Sequence, residues 1–253
     1  MDRERFRRKV REGIPQIGMF VQSNEPAIIE VAALAGFDFA VLDLEHGGVY
    51  YNCVENMCRA ADAAGIDLIV RVPFITPNNV FRPLDSGATG VQVPQVNDPE
   101  TARLVAANTK YAPEGCRGGA RPRASVWGTR PDYFAQANKE TATIIHCETK
   151  EAVENIDAIL SVPGIDIVFG GPQDLSHSYN IPGDTANPVV QNALATMLAS
   201  AQKHNVAAGV FVNTPEDAKK RIEQGFKYML FTNDQSLLLQ YLKTIVAGIG
   251  LKR

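Results

Sequence analysis

Five times in this chain a helical pattern closes on glycine and an apolar run follows at once. The five are Ala35-Gly36-Phe37-Asp38-Phe39-Ala40-Val41-Leu42, Ala64-Gly65-Ile66-Asp67-Leu68-Ile69-Val70, Ser86-Gly87-Ala88-Thr89-Gly90-Val91-Gln92-Val93, Pro163-Gly164-Ile165-Asp166-Ile167-Val168-Phe169 and Gln224-Gly225-Phe226-Lys227-Tyr228-Met229-Leu230-Phe231. Glycine suits the left-handed residue that ends a helix. An unbroken apolar run suits a strand of a parallel sheet, buried on both faces. Runs at Ile17 to Val21, Ala142 to Cys147 and Val206 to Val212 raise the number of strands to eight. Ser23-Asn24-Glu25-Pro26 opens the first intervening helix with a capping residue and a first-turn proline. Helical patterns follow at Asn52 to Ala64, Pro77 to Asp85, Pro99 to Tyr111, Lys150 to Leu160, Pro188 to His204, Pro215 to Gln224 and Gln235 to Val246. Eight alternating units predict an α/β fold, a single (β/α)8 TIM barrel over residues 1–253 with an N-terminal helix. A doubly wound open sheet is the alternative, but the turn after Val21 is Gln-Ser-Asn-Glu-Pro, not a glycine-rich phosphate loop.

Length and charge bound what such a barrel can do. A chain of 253 residues with 45% hydrophobic content can bury one large core. A net charge of −3 points to no nucleic-acid partner. No apolar run approaches the roughly 18 residues of a membrane span. The N-terminal stretch from Met1 to Val10 lacks the apolar core of a signal peptide and reads as a basic, solvated helix covering the bottom of the fold. Cys53, Cys58, Cys116 and Cys147 form no CxxC pair, so reduced thiols and a cytoplasmic location are expected.

In a barrel, chemistry sits where strands end. Those ends carry Asp43-Leu44-Glu45-His46, Arg71, Gln92, His146 with Glu148, Gly170 to Asp174, Asn213 and Asn233-Asp234. The opposite ends are mostly Gly, Ile and Asp, an asymmetry that favours an enzyme. Glu148 and Asp174 lie one strand–helix unit apart, so adjacent parallel strands bring both carboxylates to one end of the sheet. Two carboxylates with open water positions suit Mg²⁺ or Mn²⁺. Alternatively, Glu148 caps a helix and Asp174 shapes a turn. Arg71 is a functional cation or an ion-pair partner in the barrel mouth. His46 has Asp43 three residues before it, and that carboxylate is expected to orient the imidazole.

Five motifs, in order, carry a resemblance. Asp43-Leu44-Glu45-His46-Gly47, Arg71-Val72-Pro73, Tyr111-Ala112-Pro113-Glu114-Gly115-Cys116-Arg117-Gly118, Glu148-Thr149-Lys150-Glu151-Ala152 and Gly170-Gly171-Pro172-Gln173-Asp174-Leu175-Ser176 resemble the HpcH/HpaI class II aldolases of 4-hydroxy-2-oxo acids. The likeness runs from about Gly18 to about Leu242. It implies a divalent metal (Mg²⁺, Mn²⁺ or Co²⁺) held by Glu148 and Asp174. It implies acid/base work by His46 with Asp43, and an Arg71 that touches the keto oxygen of pyruvate. It also implies a homo-oligomer, a trimer or a hexamer, with a swapped C-terminal helix. The partners it implies are a small 2-oxo acid and an aldehyde. Cleavage beside a hydroxyl, two carbons from a ketone, leaves an enolate whose charge needs such cations. The Gly170–Asp174 turn is expected to offer backbone N–H groups to the pyruvate carboxylate, with Gly171 allowing close approach. A plain tight turn is the other reading.

The chain departs from that family at three places. His146 stands where glutamine is usual, two residues before Glu148 and on the same strand face. It is expected to touch pyruvate, to reach the metal, or simply to pack. Gln173 replaces a small residue and is expected to narrow the site. The segment Cys116 to Arg130, a few residues shorter than the family's, rich in arginine and holding the only tryptophan, Trp127, reads as a wall of the aldehyde pocket, a subunit contact, or a surface loop with solvated arginines. A Schiff-base aldolase would need a lysine in the mouth, and Lys110, Lys150 and Lys227 are not placed for it. A citryl- or malyl-CoA type lyase would be expected to carry an extension beyond Arg253. A non-catalytic 2-oxo-acid-binding protein is opposed by the intact His46, Arg71, Glu148 and Asp174.

Overall fold

A computed structural model describes residues 3–250; Met1, Asp2 and Arg253, named above, lie outside the described residues. After α1 (Arg5–Arg11), the chain alternates β1 (Gln16–Val21), α2 (Pro26–Leu34), β2 (Phe39–Asp43), α3 (Tyr51–Ala64), β3 (Asp67–Arg71), α4 (Pro77–Ser86), β4 (Gly90–Val93) and α5 (Pro99–Thr109). It continues with α6 (Tyr133–Glu140), β5 (Ala142–Cys147), α7 (Lys150–Glu154), α8 (Ile156–Leu160), β6 (Ile167–Gly170), α9 (Pro172–Ser178), α10 (Pro188–Lys203), β7 (Ala207–Phe211), α11 (Pro215–Gln224), β8 (Tyr228–Asn233) and α12 (Asp234–Ile249). The eight strands are parallel and close in sequence order, β8 pairing with β1. This is the TIM barrel expected from the repeated unit. All five closing glycines, Gly36, Gly65, Gly87, Gly164 and Gly225, hold positive φ, which an L side chain rarely adopts. Thr76, Asp98, Thr149 and Thr214 cap the helices that follow them by accepting first-turn N–H groups.

Three helical expectations change. The pattern from Lys150 to Leu160 is two helices, broken at Asn155, whose Nδ2 donates to Asn97 O at 2.9 Å. That side-chain bond competes with continuation of the helix. The helix from Pro99 stops at Thr109 because Lys110 turns extended, and its buried Nζ donates to the carbonyls of Asn138 and Thr141. The N-terminal helix is a plug, not a solvated cover: Phe6, Arg7 and Val10 are buried. Phe6 meets Phe39 and Tyr228 edge-on at 5.6 and 6.2 Å, and Arg7 pairs with buried Asp166 at 2.7 Å. Burying one phenylalanine is worth about 1.5–3 kcal/mol, which favours the plugged position.

Inside the barrel, composition changes with height. The floor is apolar: Phe39 stacks on Tyr228 at 4.3 Å, and Ile69, Ile144 and Ile167 join the same cluster. Gly18 and Gly209 make room for that stack, since a Cβ on Gly18 would lie 2.1 Å from the Phe39 ring and one on Gly209 2.7 Å from Tyr228. Alternate residues of a strand share a face. Each inward series therefore climbs from the apolar floor to a polar group: Val41 to Asp43, Ile69 to Arg71, Gly90 to Gln92, and Ile144 to His146 and Glu148.

Candidate active site

Register sets the first pair. Asp43 and Arg71 are direct neighbours across β2 and β3. Arg71 donates through Nε and Nη2 to the two Asp43 oxygens at 2.8 and 2.7 Å. Its Nη1 lies 3.3 Å from Glu45 Oε2, and its guanidinium lies 4.4 Å above the Phe20 ring. Asp43 is fully buried and accepts also from Gln22 Nε2 and from the backbone N–H of Glu45 and of His46. Burial works against its charge, but the hydrogen bonds and charge of Arg71, with Gln22 and the His46 N–H, hold its pKa below the usual value. Arg71 is raised in turn: burial opposes its charge, and Asp43 outweighs burial. The expected Asp43–imidazole contact is absent from this arrangement. Asp43 meets His46 through the backbone and spends its carboxylate on Arg71, while the exposed His46 ring has Glu45 Oε2 at 3.8 Å.

The second group rises from β5. Glu148 Oε1 accepts the Gln95 N–H at 2.7 Å, and Oε2 lies 2.6 Å from His146 Nδ1. Gln95 holds φ at 54°, a conformation uncommon outside glycine, at the point where its N–H meets the carboxylate. His146 Nε2 lies 2.7 Å from Gln92 Nε2, and Tyr228 Oη donates to Gln92 Oε1 at 2.8 Å. Both imidazole nitrogens are thus engaged inside the barrel. Of the three readings of His146, this arrangement supports the packed one, since both ring nitrogens face protein groups. Burial pushes the Glu148 pKa up, but His146, the Gln95 N–H and Arg71 bring it below the usual value.

Asp174 stands in the first turn of α9. Burial and then the Glu148 charge raise its pKa. A Cβ added to Gly171 would sit 3.1 Å from Asp174 Oδ2 and 3.6 Å from Glu148 Oε2, so both acids border the small space that glycine leaves open. Glu45, His46, Gln95, Glu148, Thr149, Asp174 and Ser178 line one open cleft of about 150 Å³. Among the described residues no three His, Cys, Asp or Glu form a metal-ligating group. Two carboxylates that repel each other beside an open cleft nevertheless fit a hard cation that keeps several non-protein oxygens. Gln173, expected to narrow the site, points along the surface of α9. Its exposed side chain lies 3.4 Å from His177 Nε2, one turn along α9.

Lys110, pushed down to about 8 by burial, sits at the opposite end of the barrel, where it binds the carbonyl just before β5. Lys227 precedes β8 at that same end, and exposed Lys150 faces Glu154 at 3.8 Å. Sequence reasoning assigned no role to Glu45, Gln92, Gln95 or Tyr228. Glu45 lies inside a quoted motif, and its pKa is raised chiefly by burial, against the charge of Arg71. Gln92 carried a usable signal, a lone amide on the inward face of an apolar strand. Gln95 acts through its backbone, so its side-chain type carries none.

A family model described as HpcH/HpaI aldolase/citrate lyase matches residues 16–240. A 5-keto-4-deoxy-D-glucarate aldolase of Klebsiella pneumoniae is 36% identical over 220 residues, spanning 87% of this chain and 86% of the relative. An HpcH/HpaI aldolase/citrate lyase family protein from Burkholderia cenocepacia matches the fold with a TM-score of 0.93 at 30% identity, over 98% of this chain and 100% of that one. For an HpcH/HpaI aldolase from Desulfitobacterium hafniense the TM-score is 0.90 at 29% identity, over 97% and 96% of the two chains.

Proposed function

The chain belongs to the HpcH/HpaI aldolase/citrate lyase family, and we propose that it is a divalent-metal-dependent aldolase cleaving a 4-hydroxy-2-oxo acid reversibly into pyruvate and an aldehyde. The observation that carries this reading is the pairing of Glu148 and Asp174 around Gly171, in a mouth that also holds a fixed Arg71. The substrate class agrees with the name of the Klebsiella relative. A 5-keto-4-deoxy-glucarate, numbered from its keto end, is a 2-oxo acid with a hydroxyl at carbon 4.

In this reading Glu148 and Asp174 hold Mg²⁺, Mn²⁺ or Co²⁺, which supplies Lewis-acid polarisation of the 2-oxo acid. Arg71, locked by two bonds to Asp43, has Nη1 left to share between Glu45 and the keto oxygen, and its fixed guanidinium meets the enolate charge. Asp43 therefore serves by fixing Arg71. His46, exposed in the cleft and beside Glu45, takes the proton of the 4-hydroxyl during cleavage and returns it during synthesis. The substrate carboxylate lies against Gly171 and the first-turn N–H groups of Gln173 and Asp174, Pro172 having none to offer. One catalytic domain carries all of this.

Exposed Leu238, Leu239, Tyr241, Leu242, Ile245 and Ile249 on α12 support a homo-oligomer, a trimer or hexamer, which sedimentation will count. No helix among the described residues is long and apolar enough to cross a membrane, and the free cysteines suit the cytoplasm.

The test is exchange of the pyruvate methyl protons in D₂O, followed by NMR. Exchange is expected with Mn²⁺ or Mg²⁺, and its loss with chelator or in Glu148→Ala and Asp174→Ala. Metal-replete protein that exchanges nothing would sink the pyruvate-aldolase reading in favour of a CoA-type lyase, and pyruvate binding without any turnover would mark a binding protein. Exchange surviving metal removal would reopen a lysine route, which borohydride trapping would then show.

A further inference from the structure

Below Glu148 runs a polar chain whose other members, Tyr228, Gln92 and His146, have no part in the reaction as derived above. It runs from Tyr228 on β8 through Gln92 on β4 to His146 and Glu148 at the end of β5, with contacts of 2.8, 2.7 and 2.6 Å. Tyr228 and Gln92 are 0% exposed and His146 is 1% exposed. Its direction is set from the Tyr228 end. A buried phenol proton needs an acceptor, and Gln92 Oε1 is the one in reach among the described residues. That orients the amide so that its NH₂ faces His146. The facing Nε2 must then present its lone pair, and the ring proton sits on Nδ1, aimed at Glu148 Oε2.

The other tautomer would set Nε2–H against NH₂ and an Nδ1 lone pair against a carboxylate oxygen. A proton on Nε2 facing an acceptor would require the amide to flip and would strip the phenol of its acceptor. Glu148 ends in a soft torsion. With the Gln95 N–H on Oε1 and the His146 N–H on Oε2, each oxygen has one donor and the carboxylate plane is held. The Phe169 ring, its centroid 5.0 Å from that of His146, supports the imidazole from the side.

We propose that Tyr228 and Gln92 orient the His146 ring so that its Nδ1–H faces Glu148, and that His146 is thereby a positioning residue that fixes the Glu148 carboxylate for the divalent cation. The second half rests on the metal site proposed above; the first does not. Outer partners of a metal ligand typically contribute 10–100-fold to metal affinity.

Two measurements separate the parts. Selective ¹⁵N-histidine labelling of the metal-free protein is expected to show a pyrrole-type Nδ1 and a pyridine-type Nε2 for the signal that disappears in His146→Gln. A proton on Nε2 would overturn the hydrogen-bond order. Mn²⁺ titration followed by electron paramagnetic resonance is expected to give binding about tenfold weaker in Tyr228→Phe and about 10–100-fold weaker in His146→Leu. His146→Gln, which keeps an N–H to offer Glu148, is expected to recover most of that loss. Tyr228→Phe keeps the ring stack, so it reports even where His146→Leu fails to fold. Wild-type affinity in both Tyr228→Phe and His146→Leu would overturn the positioning role while Glu148 remains a ligand. Wild-type affinity in Glu148→Ala would instead remove the metal site, leaving the tautomer assignment to stand or fall on its own spectrum.

Discussion

Replacing Asp43 with asparagine strands a buried guanidinium. Asp43 accepts five donors: Arg71 Nε and Nη2, Gln22 Nε2 and the backbone N–H of Glu45 and His46. Asparagine keeps one acceptor oxygen and turns an NH₂ toward donors already in place. Breaking a buried pair by removing one partner costs about 3–5 kcal/mol. Glu45, 3.3 Å from Arg71 Nη1, remains as a partial counter-charge and holds the loss near the lower bound, about 3 kcal/mol. In a chain of this size that corresponds to a fall in Tm of roughly 6–12 °C. Urea unfolding followed by circular dichroism, at equal protein concentration, measures it. The pH dependence gives a second check. The native pKa of Asp43 is lowered, so its contribution is complete above the unfolded value of about 4 and is lost as pH falls through the native one. The stability gap between wild type and Asp43→Asn is therefore expected to be constant from pH 7 to about pH 5 and to close below about pH 4. Asp43→Leu combined with Arg71→Met is expected to regain most of the loss, because an apolar pair of similar volume has no charge to strand. A loss under about 1 kcal/mol, or a gap that does not shrink with acid, would refute the buried-pair account.

Arg71→Lys is expected to lower the rate about 10²-fold or more, since lysine keeps the charge but not the planar fork; near-wild-type turnover would reduce Arg71 to an ion-pair partner. Gly171→Ala places a methyl 3.1 Å from Asp174 Oδ2 and is expected to weaken Mn²⁺ binding about tenfold with little change in Tm, read by titration and melting. Lys110, brought down to about 8 by burial, binds fewer protons folded than unfolded, so its contribution to stability rises with pH between about 8 and 10.5. The gain of wild type over Lys110→Met across that window is expected to be about 3 kcal/mol; a flat difference would show the amine unperturbed.

The barrel was legible because its signal is local and repeated. A glycine that must be left-handed, followed by a doubly buried strand, needs no knowledge of distant residues. The sides of the site were legible for the same reason: each acid or base ends a strand. Pairings across strands were not. Asp43 and His46 are three residues apart in sequence, and that nearness suggested a contact. The partner that wins is Arg71, 28 residues on, because strand register places the two charges side by side in the dark of the barrel. His146 shows the same limit. Its neighbours Gln92 and Tyr228 come from strands 54 residues before and 82 after it, and only barrel closure brings the three together. The N-terminal helix was misread because its arginines mask an i, i+4 pair, Phe6 and Val10, that fills the floor.

Tyr228 belongs to two structures at once. Its ring completes the floor against Phe39 and Phe6, and its hydroxyl orients the amide beneath the catalytic mouth. It also lies on the last strand to leave the ribosome. A nascent chain synthesised as far as β7 already contains Asp43, Arg71, Glu148 and Asp174, but neither the lid of the floor nor the lock on His146. Domains form in the order in which they are synthesised, whereas contacts of such long sequence separation wait for both ends. On the proposed metal site, tight binding of the cation is thus tied to completion of β8, and a product truncated before it has the acids without the frame proposed to hold them.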